Sequence, residues 1–140
     1  MATRHMTMDL RSFGGAMGLK GREIEKWAAE SRTHLAVSVF KRLTGWPPVG
    51  TPRDTRRASF GWDLTVGRPS KRVQKEGKYS GWKKPPPGFA KGVGLKTPLF
   101  LANNVPYIGI LNRGHSQQSP SRFVERAIRG EIRRVEGLGG

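Results

Sequence analysis

The chain has 140 residues, enough for one domain with a modest core and too few for two. It holds no cysteine, which excludes a disulfide framework, a thiolate metal site and a thiol nucleophile, and its apolar runs are too short for a membrane span. A net charge of +16 points to anionic partners, whether nucleic acid, an acidic surface or a neighbouring subunit, and is silent on fold.

Residues 1–18 lack the apolar core of a secretory signal, and Asp9, Gly14 and Gly15 argue against a transit peptide. They read as a flexible arm. The glycines at 14, 15, 18 and 21 around Lys20 do not make a phosphate loop, since no strand precedes them and no Gly-Lys-Ser/Thr follows. From Leu19 to Leu43 the residues Ile24, Trp27, Ala28, Ser31, Leu35, Ser38 and Val39 recur at three- and four-residue steps, the period of an amphipathic helix. Glu23, Glu25 and Glu30 near its start and Lys41 and Arg42 near its end suit the helix dipole. Thr44-Gly45-Trp46-Pro47-Pro48 should stop it, because proline cannot continue a helix.

Phe60, Trp62, Leu64 and Val66 then alternate with smaller or polar residues, the pattern of a half-buried strand ended by Gly67-Arg68-Pro69. Residues 68–98 carry nine Lys or Arg against the single Glu76, with Pro85-Pro86-Pro87 and scattered glycines, and show no helical period. A loop of this length in a small domain is functional or disordered. Tyr79, Trp82 and Phe89 interleave with its lysines, which argues against a plain linker. Three readings of its cations, Arg68, Lys71, Arg72, Lys75, Lys78, Lys83 and Lys84, stay open: phosphate contacts on DNA, docking on an acidic subunit, or a solvated hairpin.

Thr97 to Ala102 predicts a short strand, Asn103-Asn104-Val105-Pro106 a turn, and Tyr107 to Leu111 a short helix or second strand. Asn112-Arg113-Gly114-His115-Ser116-Gln117-Gln118 is a polar loop. A last helix follows, with Ser119 placed to cap it, Pro120 at its first position and Phe123, Val124, Ala127, Ile128, Ile132 and Val135 on its buried face. Residues 137–140 read as a frayed tail. The whole predicts an α+β domain over residues 19–136, a small antiparallel sheet packed by a long N-terminal and a C-terminal helix, with a long basic loop inserted.

Catalytic constellations do not emerge. His5, His34 and His115 match no metal spacing, and His115-Ser116 lacks an acidic neighbour to set its tautomer. The carboxylates are scattered, without a pair placed for acid–base or two-metal work. No cofactor and no enzymatic activity is expected.

Two stretches look familiar together. Thr51-Pro52-Arg53-Asp54-Thr55-Arg56-Arg57-Ala58-Ser59-Phe60-Gly61-Trp62 resembles the segment leading into the first strand of the tail-completion, or neck, proteins of long-tailed phages. Asn103-Asn104-Val105-Pro106-Tyr107-Ile108, then Leu111 through Pro120, then Phe123-Val124 and Ala127, is similar to that family's C-terminal signature. The order of elements is the family's as well. The resemblance implies a virion structural protein, assembled in the host cytoplasm, forming a homo-oligomeric ring between the head connector or adaptor and the tail terminator or tail tube. It also implies no catalytic residue, and the basic balance is compatible with a channel that carries packaged DNA; no membrane partner is expected. Residues 112–118 would then be an assembly loop, or a turn packed on its own domain. The rival expectation is a monomeric basic nucleic-acid-binding module, which accounts for the charge but not for the Asn-Asn-Val-Pro-Tyr and Gly-His-Ser-Gln pattern.

Overall fold

The computed structural model describes residues 2–5, 21–45, 50–51, 55–114, 118–119 and 121–139. Among them, strand β1 (Ala2–His5), helix α1 (Arg22–Leu43), the single turn α2 (Arg57–Phe60), strands β2 (Trp62–Val66) and β3 (Leu99–Asn103), and helices α3 (Ile108–Asn112) and α4 (Phe123–Gly139) follow in order. The fold is α+β. An antiparallel sheet, ordered β1–β3–β2, carries the long helix and the C-terminal helix.

β1 corrects the expectation of a wholly flexible arm. Ala2 to His5 pair with Asn103 to Phe100 on the side of β3 that β2 leaves open. A central strand offers two rows of backbone donors and acceptors, and an extended segment can fill the second row through its main chain without any apolar period. Residues 6–18 of the expected arm lie outside the described residues.

α1 begins at Arg22, three residues later than the period suggested, with Glu23 and Glu25 in its first turn and Lys41 and Arg42 in its last. Ala28, Leu35 and Val39 of the predicted stripe are buried, and Ala36, Phe40 and Leu43 extend that face. The helix closes on Thr44, whose Oγ1 donates to the Phe40 carbonyl at 2.9 Å, and on the Thr51 amide, which donates to the Leu43 carbonyl at 2.9 Å. Trp46, Pro47 and Pro48, read as stop signals, lie outside the described residues.

Phe60 was expected to open a strand but ends α2, and β2 starts at Trp62. The reason is local. A Cβ on Gly61 would lie 2.6 Å from Asn103 Oδ1 and 2.7 Å from Val105 Cγ2, so the chain passes too close to its neighbours for any side chain there. Beyond that pinch Trp62 and Leu64 turn inward beside Leu99 and Leu101 and meet α1. Trp62 is fully buried, and its Nε1–H donates to Thr51 Oγ1 at 2.8 Å. Burial of each such large side chain contributes about 1.5–3 kcal/mol.

Tyr107 to Leu111, left open between helix and strand, resolves as helix α3. In α4 Phe123, Val124 and Ala127 are buried and Ile128 and Ile132 pack at the core's edge; the Val135 side chain is outside those described. The predicted cap is corrected. Ser119 lies four residues ahead of the helix, buried, with its hydroxyl donating to the Gly50 carbonyl at 2.7 Å, and Pro120 is outside the described residues. The predicted tail is corrected too, since α4 runs to Gly139; glycine costs a helix about 1 kcal/mol relative to alanine but does not forbid it. α1 and α4 are joined at buried Glu131, which meets Arg42 Nη1 at 3.7 Å and Arg134 Nε at 3.3 Å.

Candidate assembly surface

The basic segment is an excursion within a β2–β3 hairpin. The Gly67 amide donates to the Pro98 carbonyl at 2.8 Å, so the chain leaves and rejoins the sheet at one point. Between them no strand or helix forms. Residues 86–97 instead make successive tight turns, with amide-to-carbonyl bonds Phe89 to Pro86, Lys91 to Gly88, Val93 to Ala90 and Thr97 to Gly94 at 3.1–3.2 Å.

One carboxylate organises the first half of the excursion. Asp63 sits on the face of β2 turned away from Trp62 and Leu64. Its Oδ2 accepts from Ser70 Oγ and Arg72 Nε, and its Oδ1 from Arg72 Nη2 and Lys83 Nζ, all at 2.9 Å. The Phe60 carbonyl accepts from the same two cations, at 3.1 Å from Arg72 and 2.8 Å from Lys83. Asn104 Nδ2 then donates to the Ser70 and Arg72 carbonyls at 2.7 and 3.1 Å. Burial alone would raise the Asp63 carboxyl, but the hydrogen bonds from Arg72, Lys83 and Ser70 outweigh it and hold it below the usual carboxylate range. Lys83 is pushed down by burial, which its bond and attraction to Asp63 offset only in part, and the neighbouring positive charge of Arg72 lowers it a little further.

Arginines of the body grip the rest through its carbonyls. Arg57 Nε donates to the Gln74 carbonyl at 2.8 Å, lies 3.9 Å from Glu76 and stands 5.7 Å above the Tyr107 ring. Arg56 Nη1 reaches the Gly81 carbonyl at 3.3 Å. Tyr79 stacks on Phe60 with ring centroids 5.3 Å apart, and its amide donates to the Thr55 carbonyl at 2.8 Å. On α1, Arg32 reaches the carbonyls of Thr97, Gly94 and Leu95 at 3.0, 3.1 and 3.4 Å. A planar guanidinium spans such sets of acceptors where an ammonium cannot. Burial lowers the Arg32 pKa, and the three carbonyl bonds go to a group that stays protonated.

These contacts sort the candidate cations. Arg72 and Lys83, read from sequence as contacts for DNA or a subunit, are committed to Asp63 and hold the loop on its own sheet. Arg68, Lys71, Lys75, Lys78 and Lys84 are exposed. Trp82, in the same segment, is 50% exposed.

The expected assembly loop divides in the same way. Asn112 is buried, and its Oδ1 accepts the Val124 amide at 3.0 Å, which makes it the cap that Ser119 was expected to be. Gly114 has φ 98, and a Cβ there would stand 2.9 Å from Ser121 Cβ, so this turn needs glycine twice over. Arg113 is exposed, with Nε donating to the Gly109 carbonyl at 3.2 Å, and Gln118 is exposed. His115, Ser116 and Gln117 lie outside the described residues.

Asp63 and Arg32 escaped the sequence reading, while Asn104 and Arg57 entered it only as members of the familiar stretches, without a role of their own. Asp63 alone had a signal, as an isolated acid in a strand that runs into nine cations. Among the described residues there is no group of three His, Asp or Glu side chains placed to hold a metal, and no helix is long and apolar enough to cross a membrane. The chain matches no family model, no curated protein and no solved structure.

Proposed function

We propose that this chain is a structural subunit of a tailed-phage neck, which joins copies of itself into a ring between head connector and tail. The observation that carries the reading is the likeness of residues 103–108 and 111–120, with Phe123, Val124 and Ala127, to the signature of neck proteins. In this chain those residues do consistent work. Asn103 Nδ2 donates to the Ala58 carbonyl at 2.7 Å while its Oδ1 accepts the Val105 amide at 3.1 Å. Asn104 ties down the excursion, Asn112 caps α4 and Ser119 anchors Gly50. The signature thus accounts for the rigid body, while Lys71, Lys75, Lys78 and Lys84 are exposed where neighbours can reach them. Closed rings need two different faces per subunit, and a body with one long docked excursion offers such asymmetry.

Native mass spectrometry at moderate salt, on the chain alone and mixed with tails lacking this subunit, tests the reading. A ring, or recruitment into one on the tail, is the expected result. A chain that stays monomeric in both settings overturns it.

The exposed cations of the excursion favour a second reading, a monomeric module that binds nucleic acid through phosphates. Seven such cations, Arg68, Lys71, Lys75, Lys78, Lys84, Lys91 and Lys96, would give a slope of log affinity against log salt of about −6 on duplex DNA. Replacing Lys71, Lys75 and Lys78 with glutamine should then flatten that slope by about 3.

A further inference from the structure

Helix α1 shows a second face, turned neither to the sheet nor wholly to solvent. Arg22, Lys26, Ala29, Thr33 and Val37 follow one another at three- and four-residue steps and line one side of an open groove of about 1040 Å³. The other side is the turn-rich segment 88–96, which contributes Phe89, Val93 and Leu95. That wall is built. Its successive turns are closed by their own hydrogen bonds, and Arg32 fastens its far end to α1 through Gly94, Leu95 and Thr97.

We infer that this groove takes an amphipathic helix from a different protein, one with carboxylates flanking its apolar ridge. The shape argues for a helix. The stripe from residue 22 to residue 37 runs for about 22 Å, or four turns, with small Ala29 near its middle where two helix axes can approach closely. The charge argues for acidic flanks. Cations stand on both walls, Arg22 and Lys26 on one and Lys91 and Lys96 on the other, against Glu25 and Glu30. A single-headed anionic amphiphile would engage one wall, whereas a ridge with acids on either side engages both. A second copy of this chain brings the wrong sign, since it carries +16 overall and the exposed positions of α4 include Arg126, Arg129 and Arg133. The groove does not depend on the neck reading; in a neck, the acidic ridge would belong to the adjoining component.

The test uses the full chain and three labelled synthetic helices of about four turns. One has a leucine and alanine ridge flanked by glutamate, one the same ridge flanked by lysine, and one glutamate flanks with a serine ridge. Fluorescence anisotropy should show the first binding at least about tenfold more tightly than either of the others. Ala29→Trp, which fills the groove, should weaken the first at least about tenfold, and Lys91→Glu with Lys96→Glu should erase its advantage over the lysine-flanked peptide. The charge pair lies on exposed positions, so it decides the matter even if the tryptophan disturbs folding. Equal binding of the glutamate- and lysine-flanked peptides, equal binding with a serine ridge, affinity unmoved by these substitutions, or no saturable binding would each overturn the inference. Self-association that Ala29→Trp abolishes would assign the groove to a second copy and overturn it as well.

Discussion

Asn112 caps a helix to which it does not belong. From the end of α3 its Oδ1 accepts the Val124 amide at 3.0 Å, its Nδ2 reaches the two Glu125 oxygens at 3.0 and 3.1 Å, and its carbonyl accepts the Arg122 amide at 2.5 Å. Amides at the start of a helix have no partner within it, and here they find one across a chain reversal. Arg122, at φ 59, is held in a left-handed conformation just ahead of the helix by the same contact.

Replacing Asn112 with alanine should therefore destabilise the fold by about 1–2 kcal/mol, the usual worth of a cap. Urea unfolding measures it. A loss below about 0.5 kcal/mol would mean that water serves those amides as well.

Trp62 and Thr51 form a buried pair at 2.8 Å. Thr51→Val keeps the shape and removes the acceptor, leaving an indole N–H in the core without a partner, at a cost of about 1–3 kcal/mol. Because the two side chains share one bond, the double variant Trp62→Phe with Thr51→Val should lose less than the sum of the singles. Additive losses would show that the bond contributes nothing.

Asp63→Asn should loosen residues 70–83 without unfolding the body. Arg72 and Lys83 would lose their shared carboxylate, a loss of about 1–2 kcal/mol once the exposure of Arg72 is allowed for. Hydrogen exchange should accelerate in that segment and stay unchanged in α1. Uniform acceleration in both would contradict a local latch.

The same group sets an acid limit. Its carboxyl titrates lower folded than unfolded, so its contribution is complete above the ordinary value of about 3.9 and is lost as pH falls through the lowered folded value. Wild type should outlast Asp63→Asn in urea near neutrality, and the gap should close at the acid end. A gap that is constant down to the most acid point would refute the assignment.

Arg32→Lys retains the charge but cannot span three carbonyls, and the Thr97 amide, bonded to Gly94, should exchange several-fold faster. Unchanged exchange over residues 88–97 would show that the turns hold themselves.

What was legible in the sequence followed from period. The stripe Ala28, Leu35 and Val39, the alternation of Trp62 with Leu64, and the face of Phe123, Val124 and Ala127 each announce an element because burial repeats with its geometry. Phe60 misled because an aromatic ring in step with a strand pattern can be covered otherwise, here in part by stacking on Tyr79 from the excursion. Ser119 misled because a good cap residue beside proline can serve a remote carbonyl as well as the next helix. The contacts of Asp63 reach Ser70, Arg72 and Lys83 through a stretch without regular structure, where spacing along the chain carries no directional information. Arg32 reads as one more solvated charge on a helix, since its acceptors are backbone atoms more than sixty positions away.

The bond from the Gly67 amide to the Pro98 carbonyl makes the excursion a cassette. Its two ends sit side by side, so the pairing of β2 with β3 is blind to how many residues lie between them, and lengthening the closed loop adds only about 0.6 kcal/mol per doubling. Relatives with a different partner could exchange the whole insert for another of unlike size or charge while the sheet kept its register. Such an exchange would have to carry with it the loop's share of the latch, because Asp63 left without Arg72 and Lys83 would be a half-buried carboxylate facing nothing of opposite sign.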